Sequence, residues 1–110
     1  MSIQRICPPA KVDKRVCTEE ANLFKALADP YRLRIIATLN RSKYAVCVCD
    51  FTCAFPLKQP AVSHHLCVLR DAGLVTCERR GTWVYYKLAD DFGHRIETAL
   101  ETIFLRRIAA

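Results

Sequence analysis

Apolar residues recur at helical spacing along most of this chain and at strand spacing over one short stretch, with cap and turn residues at the breaks. Thr18 reads as an N-cap, Glu19-Glu20 as an acidic first turn, and Leu23, Phe24 and Leu27 as the apolar stripe of a helix ending near Ala28. Asp29-Pro30 repeats the pattern of a cap followed by proline and opens a second helix to about Asn40. Leu33, Ile36, Ala37 and Leu39 are its expected buried side, and Arg41-Ser42-Lys43 is a polar connection. A short third helix is predicted from about Val46 to Phe55, stopped by Pro56. After a short break Pro60 opens a fourth helix to about Ala72, with Gly73 as a left-handed cap and Val62, Leu66 and Leu69 along one edge. Two helices joined in this way form a helix-turn-helix. Leu74–Arg80 and Trp83–Leu88 flank Gly81-Thr82, the signature of a hairpin with a II′-type turn. From Asp90 onward Phe92, Ile96, Leu100, Ile103, Phe104 and Ile108 form a long terminal stripe. A small domain has little room to bury it, so pairing with a second subunit is expected. The fold predicted is mainly α with a β-hairpin wing, in the order α-α-α-α-β-β-α: a winged helix-turn-helix in a homodimer.

Composition narrows the partners. At 110 residues, with 52% apolar and 25% charged residues, the chain fits one small globular domain. Seventeen Lys and Arg against eleven Asp and Glu give a net charge of +6, which points to nucleic acid first and an acidic membrane surface second. No apolar run is long enough to span a bilayer and no signal peptide is legible, so no membrane partner and a cytoplasmic location are expected. The second helix of a helix-turn-helix enters the major groove with its N-terminal residues against base edges. Here that end carries Gln59, Ser63, His64 and His65, types able to pair with bases. Lys58 and the wing residues Arg79 and Arg80 are expected to grip phosphate. The chain thus divides into a basic, cysteine-containing arm over 1–17 and a DNA-binding and dimerisation domain over 18–110. A dimer of this kind predicts a pseudo-palindromic operator in double-stranded DNA.

Seven cysteines need an explanation. An odd count without an export signal argues against structural disulfides and leaves buried small hydrophobes, ion ligands or redox thiols. Soft thiolates select soft ions: arsenic(III) prefers three sulfurs in a pyramid, cadmium or zinc commonly four ligands. On a regular helix Cys47 and Cys49 lie about 200° apart and cannot share an ion. They can share one if Cys47 precedes the first turn or if that turn unwinds. Cys49 and Cys53 are already on one side. Cys67 and Cys77 are expected to pack as small hydrophobes. The nearest nucleophile–base pairing, Cys67 with His64 or His65, has no evident pocket or orienting acid, so no enzyme is predicted.

Four stretches together carry a resemblance: Phe24 to Arg34 (FKALADPYRLR), Cys47-Val48-Cys49-Asp50, Gln59 to Leu66 (QPAVSHHL) and Gly81 to Tyr86 (GTWVYY). They resemble, in the same order, the ArsR/SmtB family of metal- and metalloid-sensing repressors, most closely its arsenite-responsive members. The resemblance implies a homodimeric winged-helix repressor that leaves its operator when an inducer binds. Cys-Val-Cys-Asp is similar to the third-helix inducer site of arsenite- and cadmium-responsive members, implying Cys47 and Cys49 as ligands with Cys53 as a third. Cys7-Pro8-Pro9 resembles an arm segment of arsenite-responsive relatives, and Cys7 or Cys17 is then a ligand from the arm. The implied inducer is As(III) or Sb(III), with no organic cofactor. The alternatives are a Cd(II), Pb(II) or Zn(II) response within the same family, or a thiol redox switch. Phe92 stands where a terminal-helix ion site has its first histidine, so that site is expected to be absent. Lys58 stands where the family often has a capping serine, so the reading helix must begin by other means.

Overall fold

Residues 7–105 are described by the structure, a computed structural model. Arg5 and Ile6 of the basic arm and Ile108 of the terminal stripe lie outside the described residues. The elements run α1 (Thr18–Leu27), α2 (Pro30–Arg41), β1 (Val46–Cys47), α3 (Val48–Ala54), α4 (Gln59–Asp71), β2 (Val75–Arg80), β3 (Trp83–Leu88) and α5 (Phe92–Leu100), which passes into a π-helical turn, Glu101–Leu105.

Local chemistry fixes the boundaries that position the helix-turn-helix. The Asp29 carboxylate accepts the backbone N–H groups of Tyr31 (2.8 Å) and Arg32 (3.1 Å), capping α2. At the far end of α4, Gly73 adopts φ +74°. The N–H of Gly73 reaches the Arg70 carbonyl and that of Leu74 the Leu69 carbonyl, a Schellman closure that delivers the chain into β2. Gly81, at φ +63°, turns the hairpin, with Arg80 opposite Trp83. α4 begins without a side-chain cap. The Lys58 carbonyl accepts the N–H groups of Ala61 and Val62, and Pro60 supplies a helical φ in the first turn.

The third helix starts later than its apolar pattern suggests. Val46 and Cys47 form a strand, pairing antiparallel with Tyr86 and Tyr85, so the sheet order is β1-β3-β2. Two residues have no periodicity to read. The pairing satisfies the free edge of β3, and the Asp50 carboxylate then accepts the Cys47 N–H at 3.2 Å and starts the helix at Val48.

The core lies between α2, α4 and the sheet. Ile35, Val62, Leu66, Leu69 and Leu74 are fully buried, joined by Leu39, Phe51, Phe55, Val75 and Tyr86. The expected α4 edge is the observed one. On α2 the expected Leu39 is buried and Ile36 packs against the core, but the fully buried position is Ile35, while Leu33 is 52% exposed and Ala37 is exposed. Five apolar residues over Leu33–Leu39 allow two stripes, and packing against β3 and α4 selects the one carrying Ile35. Phe92, Ile96 and Ala99 pack inward, whereas Leu100, Phe104, Val12 and Val16 stay exposed.

Candidate metal centre and nucleic-acid interface

Cys47 is the last residue of β1 and the N-cap of α3, with extended backbone angles (φ −71°, ψ 144°). It therefore precedes the first helical turn, the arrangement in which it can share an ion with Cys49. The sulfurs are already together: Cys49 Sγ lies 2.7 Å from Cys47 Sγ, which also accepts the Cys49 N–H at 3.4 Å. Donation to Cys47 pushes the Cys49 thiol up to about 11, with desolvation and the negative charges of Cys47, Asp50 and Cys53 adding to it. Of the pair, Cys47 is buried and Cys49 is exposed.

Cys53, one turn beyond Cys49, is exposed and borders the same groove. Among the described residues no three Cys, His, Asp or Glu side chains are grouped closely enough to hold one ion. The thiol pair offers a thiophilic ion two sulfurs, with no third donor grouped beside them among the described residues. Cys7 is exposed in the arm, away from the groove, and Cys17 is half-buried at the head of α1. Cys77 is not a packed hydrophobe. It is exposed on β2 opposite Tyr86. Beyond Val75 the strand is exposed, so its apolar residues have no layer to enter. Cys67 is half-buried on α4.

The groove, about 450 Å³, runs between α3, the start of α4 and the wing. Gln59 and Ser63, one turn apart, border it with Arg79. His64 is exposed beside them. His65 points the other way, into the α2 contact: its Nδ1 lies 3.1 Å from Arg32 Nη1 and 3.9 Å from Asp29 Oδ1, and its ring stacks on Tyr31. It joins two helices and does not line the exposed face with Ser63. Strand alternation separates the wing arginines. Arg79 shares the groove face with Cys77, whereas Arg80 lies on the opposite face, bound to Glu78 at 3.1 Å and stacked over Tyr85. Lys58 is exposed at the head of α4. Sequence reasoning left out Trp83 and Arg70, which also line the groove. A tryptophan two residues past the hairpin glycine was the available signal, and Trp83 is 55% exposed.

Residues 29–76 match the family described as bacterial regulatory protein, arsR family. The arsenical resistance operon repressor of Bacillus subtilis is 51% identical over 69 residues, covering 62% of this chain and 64% of that protein. The arsenic resistance transcriptional regulator ArsR1 of Pseudomonas putida is 38% identical over 81 residues, 74% of this chain and 62% of its own length. The chain thus spans a little under two thirds of either relative. The transcriptional repressor BigR from Xylella fastidiosa superposes with a TM-score of 0.60 at 33% identity, over 79% of this chain and 87% of that one. All three are named as regulators or repressors and none as an enzyme. No helix among the described residues is long and apolar enough to cross a membrane. With the wing, the helix-turn-helix and the Cys47–Cys49 pair in place, the matches lead to one assignment: this chain belongs to the arsR family of bacterial regulatory proteins.

Proposed function

We propose that the chain is a metalloid-responsive transcriptional repressor, acting in the cytoplasm, that binds a pseudo-palindromic operator as a homodimer and leaves it when arsenite or antimonite is captured by cysteine thiolates. The observation that carries this reading is the Cys47–Cys49 pair at the front of the helix-turn-helix, in a groove shared with Gln59, Ser63 and Arg79. Gln59, Ser63 and His64 read base edges, while Lys58, Arg79 and Arg80 hold phosphate. His65 supports them from behind by fixing α4 to α2 through Arg32. The exposed Leu100, Phe104, Val12 and Val16 supply the apolar face of the dimer, where the Arg15 guanidinium ties the arm to the Thr102 carbonyl.

Cys47 and Cys49 provide two sulfurs, and the third comes from Cys53 or from Cys7 of the arm. Cys53 reaches the pair only if α3 turns, and Cys7 only if the arm folds over it. Either movement acts on the first helix of the DNA-gripping unit, so thiol capture and operator binding compete. The test is an operator-release titration with arsenite, antimonite, cadmium, lead and zinc in parallel. Release by arsenite and antimonite alone is expected. Release by cadmium, lead or zinc makes the protein a divalent-metal sensor of the same family, and release only by oxidant, reversed by reductant, makes it a redox switch.

A further inference from the structure

Resting on the proposed reading of an operator by α4, we infer that Arg32 is the positioning residue for that helix, and that it holds α4 in register only while His65 is uncharged. Acidification is then a second signal, independent of thiol capture, that loosens the grip on the operator.

Arg32 stands in the first turn of α2, and its one guanidinium is shared with two other helices. Nε donates to the Ala26 carbonyl at 2.7 Å and Nη2 to the Lys25 carbonyl at 3.4 Å, both in the last turn of α1. Nη1 lies 3.1 Å from Nδ1 of His65 on α4. Carbonyls at the end of a helix lack partners within it, and a basic side chain supplies them. A lysine has one compact ammonium head and cannot reproduce this fixed fork. One side chain of α2 thus fastens α1 to α4. The buried edge of Val62, Leu66 and Leu69 sets one side of α4, and His65 sets another. Ser63 and His64, which precede it in the chain, are the side chains proposed to meet bases, so a turn of α4 moves both.

The contact fixes the protonation state it requires. A guanidinium only donates, so Nδ1 accepts and the ring carries its proton on Nε2. A second proton, on Nδ1, removes the acceptor and sets two cations 3.1 Å apart. The His65 side chain is 15% exposed, so solvent screens that repulsion little. The anion within reach is Asp29, whose Oδ1 lies 3.9 Å from Nδ1. The charged ring turns to that carboxylate and gives up Arg32, which keeps α4 near the head of α2 but breaks its tie to α1. The remaining neighbours do not replace it. Tyr31 of α2 stacks on the ring and His64 of α4 lies beside it, each with centroids 6.0 Å away. Phe55, just past α3, and the Arg34 guanidinium both pack on Tyr31, and α1 presents carbonyls.

The test compares the full wild-type chain with Arg32→Lys and His65→Asn. The asparagine amide oxygen takes the place of Nδ1 as an acceptor and does not titrate. The probe is a labelled duplex selected by the wild-type chain from a random-sequence pool, set against a scrambled duplex of the same length. The ratio of the two affinities cancels general attraction to phosphate. Anisotropy is read at about pH 8 and about pH 5.5, across the range in which imidazoles gain charge, with circular dichroism as the check of folding. In wild type the ratio is expected to fall about tenfold on acidification, the scale of one hydrogen bond to a charged group. His65→Asn is expected to keep its ratio at both pH values, and Arg32→Lys to show the low ratio already at the higher one. Should Arg32→Lys unfold, wild type against His65→Asn decides alone. A wild-type ratio flat with pH, an equal fall in His65→Asn, or a wild-type ratio in folded Arg32→Lys overturns the inference and leaves the proposed function standing. Failure of the wild-type chain to select any duplex at the higher pH overturns the proposed function, and the inference with it.

Discussion

At the scale of single residues, two side chains show how position sets behaviour. Asp29 caps α2. Burial alone raises its carboxyl, but the N–H groups of Arg32 and Tyr31, with the nearby His65 and Arg32 charges, outweigh this and hold it below its ordinary 3.8. A carboxyl lowered by folding stabilises the fold above its unfolded value, and the gain is lost as pH falls through the folded value. Asp29→Ala should cost about 0.5–2 kcal/mol at neutral pH, the usual worth of such a cap. Denaturation curves of the variant and wild type should converge as pH drops below 3.8. A gap that persists undiminished into strong acid contradicts this account of the cap. The residue types with local rules were legible in the sequence: Asp29 and Gly73 stand where cap chemistry puts them. Cys77 and His65 were not, because strand exposure and the direction of a helix face depend on what packs opposite.

At the scale of elements, the wing makes the clearest prediction. Arg79 and Arg80 are adjacent in sequence, yet alternation sends one to the groove and the other to a Glu78 ion pair. Arg79→Ala should weaken operator binding across all sequences and lower the slope of log affinity against log salt by about one phosphate contact. Arg80→Ala should change that slope less, since its guanidinium is already shared with Glu78. Equal slopes for the two variants, measured by fluorescence anisotropy over a salt series, contradict the division. The helix-turn-helix and the hairpin were legible because their periods run over whole turns. β1 was not: its two residues lie within a stretch whose apolar content also suits a helix, and only the unpaired edge of β3 decides between them.

For the whole molecule, the terminal stripe was readable from its spacing, and the chain taken alone leaves its outer part uncovered. Leu100 is 41% exposed and Phe104 is 58% exposed. In the proposed homodimer these side chains are buried against the second copy. The double variant Leu100→Glu, Phe104→Glu should sediment as a monomer and lose operator affinity with it, while retaining the helical content of wild type. An unchanged dimer removes this face from the interface. The central claim is that inducer capture by Cys47 and Cys49 and grip on DNA exclude one another. Its most direct measurement is operator anisotropy during an arsenite titration of wild type and of the double variant Cys47→Ser, Cys49→Ser. Equal starting affinity is expected, with release from wild type only. Release of both proteins at the same arsenite concentration, or of neither, contradicts the account.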